Sequence, residues 1–237
     1  MTTPIVAFLP CRSGSQRVVQ KNTRPFAGID GGLTRIKLIQ LLACQDIDRI
    51  VVSTDDEKVS DIATKTARER GREIEVIERP AHLATSETST DELIQYVPTI
   101  INEGNILWAH VTSPFVYSEI YSRAIRVYLE SLGKSDVDSL MSVTKIQTFI
   151  WNNNGPVNYD RNKEKWPRTQ TLPKWYEVNS AFFIADISTY TKKEDRIGER
   201  PYLFELEGVE RIDIDWQKDF SLAEKIALVS RELLGNV

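Results

Sequence analysis

Cysteine is scarce in this chain of 237 residues, which carries only Cys11 and Cys44. Neither sits at metal-ligand or redox spacing, so a disulfide framework is excluded and a reducing compartment is expected. Cys11 is read as filling space rather than as a nucleophile. Long apolar runs are missing too: none reaches the roughly 20 residues that crossing a bilayer requires. No signal-like segment precedes Ile5, so a cytoplasmic protein with no membrane partner is expected. A basic surplus is absent; the formal charge of −4 argues against a general nucleic-acid partner. Two phosphate-binding signatures are also lacking, because no Gly-Lys-Ser/Thr and no G-x-G-x-x-G occurs. There are no repeats and no low-complexity tracts. What is present is 41% hydrophobic, enough for a sizeable core in one α/β domain, with or without an insertion.

The stretch from Ile5 to Asn22, IVAFLPCRSGSQRVVQKN, organises the rest. Ile5 to Leu9 is a short apolar run of the kind that makes a buried strand. Ser13, Gly14 and Ser15 then form a small-residue turn, and Arg12, Arg17, Lys21 and Arg24 place cations in and just after it. Backbone N–H groups and cations together can cradle an anion with several oxygens, a triphosphate above all. The plainer alternative is a surface loop with solvated cations.

Downstream, Leu33 to Cys44 has helical spacing, RIVVST (49–54) is a second buried strand, and a charged helix runs from Lys58 to Arg70. Glu73 to Ile77 alternates like a strand. Strand and helix in alternation predict a mainly parallel sheet with helices on both faces, a three-layer α/β/α Rossmann-like fold. Ligands of such sheets collect beyond the carboxyl ends of the strands, which puts the basic loop and Ser53–Asp56 on one rim. After a polar loop from Arg79 to Thr90 come a helix (91–102), a strand (105–111), a helix (117–132) and a strand (138–144). From Lys145 to Tyr176 the rhythm breaks into an aromatic, irregular excursion holding Trp151, Trp166 and Trp175, three of the five tryptophans. Such a segment can stack bases or pack against a second subunit, and the acidic total charge favours the subunit. Ala181 to Ala185 returns to a buried strand, and Tyr202 to Glu205 reads as an edge strand. VERIDID (209–215) is expected to be a strand that ends in Asp213 and Asp215 on one face. Two carboxylates so placed attract a divalent cation; alternatively, Asp215 is simply the N-cap of the helix from Trp216 to Leu234.

Leu9-Pro10-x-Arg12-x-Gly14-Ser15, followed by Lys21-Asn22, resembles the signature loop of the acylneuraminate cytidylyltransferases. These are the CMP-sialic acid synthetases and their relatives for other nonulosonic acids. Further segments resemble that family in the same order. They are Arg79-Pro80-x-x-Leu83-Ala84, the run Thr112-Ser113-Pro114 after His110, Arg168-x-Gln170-x-Leu172-Pro173 with Tyr176 and Asn179, and Asp213-Ile214-Asp215. The chain departs from the family pattern at Ser13, Gln16, His110 and Ser180, where Gly, Lys, Gln and Gly are usual. Ser180 in place of glycine raises the expectation of a different backbone there.

The resemblance implies an enzyme that transfers CMP from CTP to the anomeric hydroxyl of a nonulosonic acid and releases pyrophosphate. It implies that Arg12, Ser13, Gly14, Ser15 and Lys21 hold the phosphates, and that Asn22, Arg79 and Ala84 read cytosine and ribose. It assigns Mg²⁺ to Asp213 and Asp215, and the sugar acid to His110, Thr112, Ser113, Arg168, Gln170, Tyr176 and Asn179. It further implies a homodimer formed through residues 145–176, an excursion inserted in a single domain spanning 1–237. A sugar-1-phosphate nucleotidyltransferase, a glycosyltransferase with an Asp-x-Asp site and an inactive nucleotide-binding protein remain alternatives on the same fold.

Overall fold

A computed structural model describes residues 3–132, 136–235 and 237. The first half follows the expected alternation: β1 (Ile5–Cys11), α1 (Gly32–Ala43), β2 (Arg49–Thr54), α2 (Glu57–Arg70), β3 (Glu75–Glu78), α3 (Thr90–Ile100), β4 (Asn105–Ala109) and α4 (Ser118–Leu132). The second half contains β5 (Ser139–Ile146), the small hairpin strands β6 (Trp151–Asn152) and β7 (Gly155–Pro156), β8 (Trp175–Asp186), α5 (Ile187–Lys193), β9 (Pro201–Glu205) and α6 (Gln217–Val229).

Seven strands form one sheet in the order β3-β2-β1-β4-β8-β5-β9, in which β8 alone runs antiparallel to its neighbours. Alternate residues of β1 enter different cores, as a strand covered on both faces requires. Ala7, Leu9 and Cys11 pack with α1, α2, α4 and α6, whereas Val6 and Phe8 pack with α3 and Tyr190 of α5. The three-layer expectation is therefore met. The chain leaves β1 in one direction, through β2 to β3, and returns on its other side as β4. The strand order reverses between β1 and β4, and a crevice opens there beyond their carboxyl ends.

Three sequence expectations are corrected. VERIDID is no strand: Gly208, at φ 55°, starts a 3₁₀ turn (Gly208–Arg211) that Glu207 and Glu210 cap reciprocally. Instead of joining a ladder, the Ile214 N–H reaches Thr112 O at 2.9 Å. The strand expected over 181–185 begins at Trp175, and Lys145 and Ile146 pair with Tyr176 and Trp175. The excursion proper is thus 147–174, carried on an antiparallel ribbon. The last helix stops at Val229, and Arg231–Leu234 continues as a 3₁₀ turn after Ser230.

Ser180 keeps the backbone of a glycine, with φ at 57° beside a bulge between Met141 and Val143. Asn179 and Ser142 stitch this bulge. Ser142 Oγ donates to Asn179 Oδ1 at 2.7 Å and accepts from Phe182 N at 3.0 Å. Ser180 therefore holds a side chain in the left-handed region, where glycine is favoured and other residues are strained.

Candidate functional site

The crevice at the β1/β4 reversal holds a cavity of about 450 Å³. Pro10, Arg12, Ser13, Ser15, Gln16, Arg17, Lys21 and Asn22 line one side, and Ser86, His110, Val111 and Thr112 line the other. A larger depression, about 780 Å³, lies at the opposite, amino end of β2 and β3. Two of its cations are already engaged there: Arg49 pairs with Glu75 at 2.8 Å, and Arg72 donates to the carbonyls of Leu42, Cys44 and Ile47. In the crevice Arg17 and Lys21 are engaged too, with Asp215 and with Ile214 O. Arg12 has no ion-pair partner among the described residues.

The basic loop is held in shape from below. Asn22 Nδ2 donates to Arg12 O at 3.1 Å, while its own carbonyl accepts from the Thr34 N–H and hydroxyl in the first turn of α1. That turn fits only because residue 32 is glycine, since a Cβ there would stand 2.0 Å from Arg24 O. Gly14 needs no such room, but its φ of 67° favours glycine. Ser13 departs from expectation. Its N–H and hydroxyl both donate to the Asp55 carboxylate at the end of β2, so they are not free to cradle a phosphate. Burial of the Asp55 carboxyl is outweighed by these hydrogen bonds, which hold it below its ordinary range. Cys11 is buried, and burial pushes its thiol up to about 12, consistent with packing rather than attack.

Opposite the loop, Asp213 and Asp215 converge on Lys21. Lys21 Nζ donates to Ile214 O at 2.8 Å, between the two acids. Burial holds Asp213 above the ordinary carboxyl value, against a hydrogen bond from Thr112, and the nearby Asp215 charge raises it further. Lys21 moves the other way, lowered by burial although both acids oppose the shift. Asp215 does not cap α6. Asp219 does so by reaching back to the Trp216 N–H at 2.8 Å, leaving Asp215 to meet Arg17 at 3.0 Å. Two carboxylates with hard oxygen donors, one of them destabilised in its ionised form, suit a hard divalent cation. No group of three or more His, Cys, Asp or Glu capable of holding a metal occurs among the described residues.

The 112–116 turn that carries Thr112 is anchored by a fully buried lysine. Lys37 Nζ of α1 donates to Ser113 O at 2.9 Å, Val116 O at 2.8 Å and Tyr121 OH at 3.0 Å. Burial lowers its proton affinity well below that of an ordinary lysine. Nothing in residue spacing distinguished Lys37 from a solvated helix lysine. The Ser113 hydroxyl is buried and lacks a hydrogen-bond partner among the described residues, and Ser113 is not part of the cavity wall.

His110 does line the cavity, but both its nitrogens are in use. Nε2 accepts the Trp108 indole N–H at 2.7 Å, and the ring also hydrogen-bonds the Ser180 backbone, which fixes the tautomer. Burial, with the Arg196 cation nearby, pushes its pKa down to about 3. The folded state therefore takes up a proton less readily than the unfolded chain. Stability from this group is present above about pH 6.5, the unperturbed value, and is lost as pH falls towards 3. His110→Gln is expected to flatten the acid side of a stability-versus-pH curve measured by urea denaturation. An unchanged slope between pH 6.5 and 4 would rule out this burial effect.

The remaining expected residues lie outside the cavity. Arg79 is buried beneath the rim, with its guanidinium on Ser53 Oγ at 3.3 Å and Ser53 O at 2.8 Å, so it braces β2 rather than facing a base. Ala84 ends the Ala81–Leu83 3₁₀ turn, and Ser86 is the residue of that loop that reaches the cavity. Arg168 and Gln170 are exposed on the excursion, and Gln170 O is bound by the Gln147 side chain at 3.1 Å. Tyr176 is exposed with its hydroxyl near Glu205, and Asn179 is spent on the bulge. Residues that motif reading missed are Asp55, Ser86 and Lys37. The Ser53-Thr54-Asp55-Asp56 strand end was the one available signal for the first.

The chain is 26% identical to an N-acylneuraminate cytidylyltransferase of Escherichia coli O18:K1:H7 over 94% of its length, but spans only 52% of that protein. It is 24% identical to a pseudaminic acid cytidylyltransferase of Campylobacter jejuni, covering 96% of this chain and 97% of the relative. It is 26% identical to a CMP-N,N'-diacetyllegionaminic acid synthase of Legionella pneumophila, covering 97% and 99%. Among solved structures, a CMP:2-keto-3-deoxy-manno-octonic acid synthetase complexed with CTP superposes with a TM-score of 0.64 at 13% identity, covering 97% of this chain and 99% of that one. A 4-diphosphocytidyl-2C-methyl-D-erythritol synthase from Anaerococcus prevotii gives 0.63 at 17%, covering 94% and 95%. These two likenesses speak for the fold. The family model described as cytidylyltransferase matches residues 6–234, nearly the whole chain from β1 through the turn after α6, and the chain therefore belongs to the cytidylyltransferase family.

Proposed function

We propose that this cytidylyltransferase joins CTP to the anomeric hydroxyl of a nonulosonic acid and releases pyrophosphate, with Mg²⁺ held by Asp213 and Asp215. The observation that carries the reading is the crevice itself. It sets Arg12, Arg17 and Lys21 on one wall and brings two carboxylates to Lys21 at the reversal of strand order. Support for the acid comes from the relatives matched over nearly their full length, which are named for pseudaminic and diacetyllegionaminic acids.

In this mechanism Arg12 and Arg17 neutralise the triphosphate and orient it along the loop. Gly14 and Ser15 offer the backbone approach that Ser13 does not. Lys21 bridges the phosphates and the acidic pair. Thr112 steers the Asp213 carboxylate by hydrogen bonding. A bound Mg²⁺ would supply charge neutralisation at the α-phosphate and a lower pKa for the attacking hydroxyl. His110, neutral and fully engaged, shapes the wall without moving a proton. A pyrophosphate-release screen of CTP against neuraminic, legionaminic and pseudaminic acids tests the reaction. Release with every other nucleotide or sugar phosphate but with none of these acids would overturn it.

The exposed excursion supports the homodimer. Phe149, Tyr159 and Trp166 pack edge to face with ring centroids 5.2 and 5.4 Å apart, yet Trp166 remains 63% exposed and Trp151 47%. Aromatics so displayed mark an interface core. Light scattering at micromolar concentration should give twice the chain mass, and Trp166→Glu should give a monomer. Arg168 and Gln170, which do not line their own cavity, would then reach the sugar acid bound by the partner. Arg168→Ala should raise the KM for the acid about tenfold or more with little change for CTP, because a guanidinium–carboxylate bond is lost. The reverse pattern would move Arg168 to the nucleotide.

The protein is further proposed to be cytoplasmic and free of membrane and nucleic-acid partners. None of the described helices is long and apolar enough to cross a bilayer.

A further inference from the structure

One wall residue of the cavity is already spoken for. Arg17 lines the crevice, pairs with Asp215 at 3.0 Å, and stacks over the Trp216 ring with its guanidinium carbon 5.1 Å from the centroid. Both members of the pair are about half exposed, 49% and 48%. Exposed pairs of this kind are weak and easily exchanged. Lys21 cannot make the same exchange so freely, because its ammonium is more deeply set and tied to Ile214 O at 2.8 Å.

We propose that Arg17 and the divalent cation compete for the Asp215 carboxylate, and that the triphosphate resolves the competition by drawing the guanidinium into the cavity. This rests on the metal assignment to Asp213 and Asp215 made above. A divalent cation held by Asp213 and Asp215 would be repelled by the guanidinium that pairs with Asp215. The triphosphate offers that guanidinium a bidentate partner of higher charge, at a position where Arg17 already forms part of the wall. The same movement takes Arg17 off Trp216 and frees Asp215. Metal and nucleotide thereby help each other bind through one side chain, although that side chain opposes the metal when it acts alone.

The test measures each ligand separately in wild type, Arg17→Ala, Arg17→Lys and Asp215→Asn. Mn²⁺ serves as the substitute for Mg²⁺ and is titrated by calorimetry and tryptophan fluorescence without nucleotide. CTP is titrated in metal-free buffer. Arg17→Ala should bind Mn²⁺ roughly three to five times more tightly than wild type, the size expected from removing an exposed ion pair. It should bind CTP roughly tenfold more weakly, the size of one charge-assisted bond. Arg17→Lys should fall between the two on both ligands. Mn²⁺ should change the wild-type fluorescence, and Trp216→Phe should remove that change. If Mn²⁺ binds wild type and Arg17→Ala equally and Asp215→Asn abolishes its binding, the competition is refuted while the metal site stands. Unchanged CTP affinity in Arg17→Ala refutes the transfer to phosphate. If Mn²⁺ binds none of the variants, with or without Arg17, both the metal assignment and the competition fail.

Discussion

Asp213→Asn and Asp215→Asn are each expected to lower turnover by roughly two to three orders of magnitude, with only a small change in melting temperature. The size is what removal of a preorganised charge-stabilising group typically costs. The small thermal effect follows from the geometry. Asp213 is already held above the ordinary carboxyl value by burial and by Asp215, so its charge is a burden on the folded state rather than a support. A group whose folded pKa is raised favours folding below the unfolded value of 3.8 and loses that contribution as pH rises through the folded one. The amide should therefore leave stability at neutral pH unchanged or slightly higher. Activity has the opposite pH sense. Metal binding needs the ionised carboxylate, so the acid limb of kcat/KM should lie above the ordinary aspartate range. Pyrophosphate release measured against Mg²⁺ concentration, alongside thermal melts, checks all of this. Wild-type turnover in both variants would remove the pair from the mechanism.

The second large effect is expected at the basic loop. Arg12→Ala should weaken CTP binding by about 1.5–3 kcal/mol, the usual cost of a hydrogen bond to a charged group. Lys21→Ala should cost at least as much and should slow turnover further. It removes a cation that faces both the cavity and the acidic pair, and it leaves Ile214 O without its donor. Gln16→Lys, which adds a cation to the same wall, should be tolerated. Calorimetric titration with CTP separates binding from turnover. An Arg12→Ala protein that binds CTP as tightly as wild type would show that the loop does not hold the triphosphate.

The sequence by itself determined the alternation of strand and helix, the mainly parallel sheet and the position of the basic loop at its rim. Those features follow from local patterns: the apolar run at Ile5–Leu9, the buried run RIVVST, and the small-residue turn at Gly14; Pro10, read as the end of the first strand, lies inside it, since β1 runs on to Cys11. Local pattern also placed Asp213 and Asp215 together, but for the wrong reason. Alternation in VERIDID predicted a strand, whereas a 3₁₀ turn and the Ile214–Thr112 bond bring the acids to Lys21. Tertiary structure alone decided which polar groups remain free for a ligand. Arg79, Asn179, Ser13 and His110 carry the residue types of a binding site, yet each is engaged by a neighbour distant in sequence: Ser53, Ser142, Asp55 and Ser180. Hydrogen-bond capacity is finite, and a motif cannot show which partner has already used it. Lys37 shows the converse, since its surroundings in the folded chain turn an ordinary helix lysine into the buried anchor of the turn that carries Thr112. Periodicity reports which face of an element is buried; only the packed elements show what meets there.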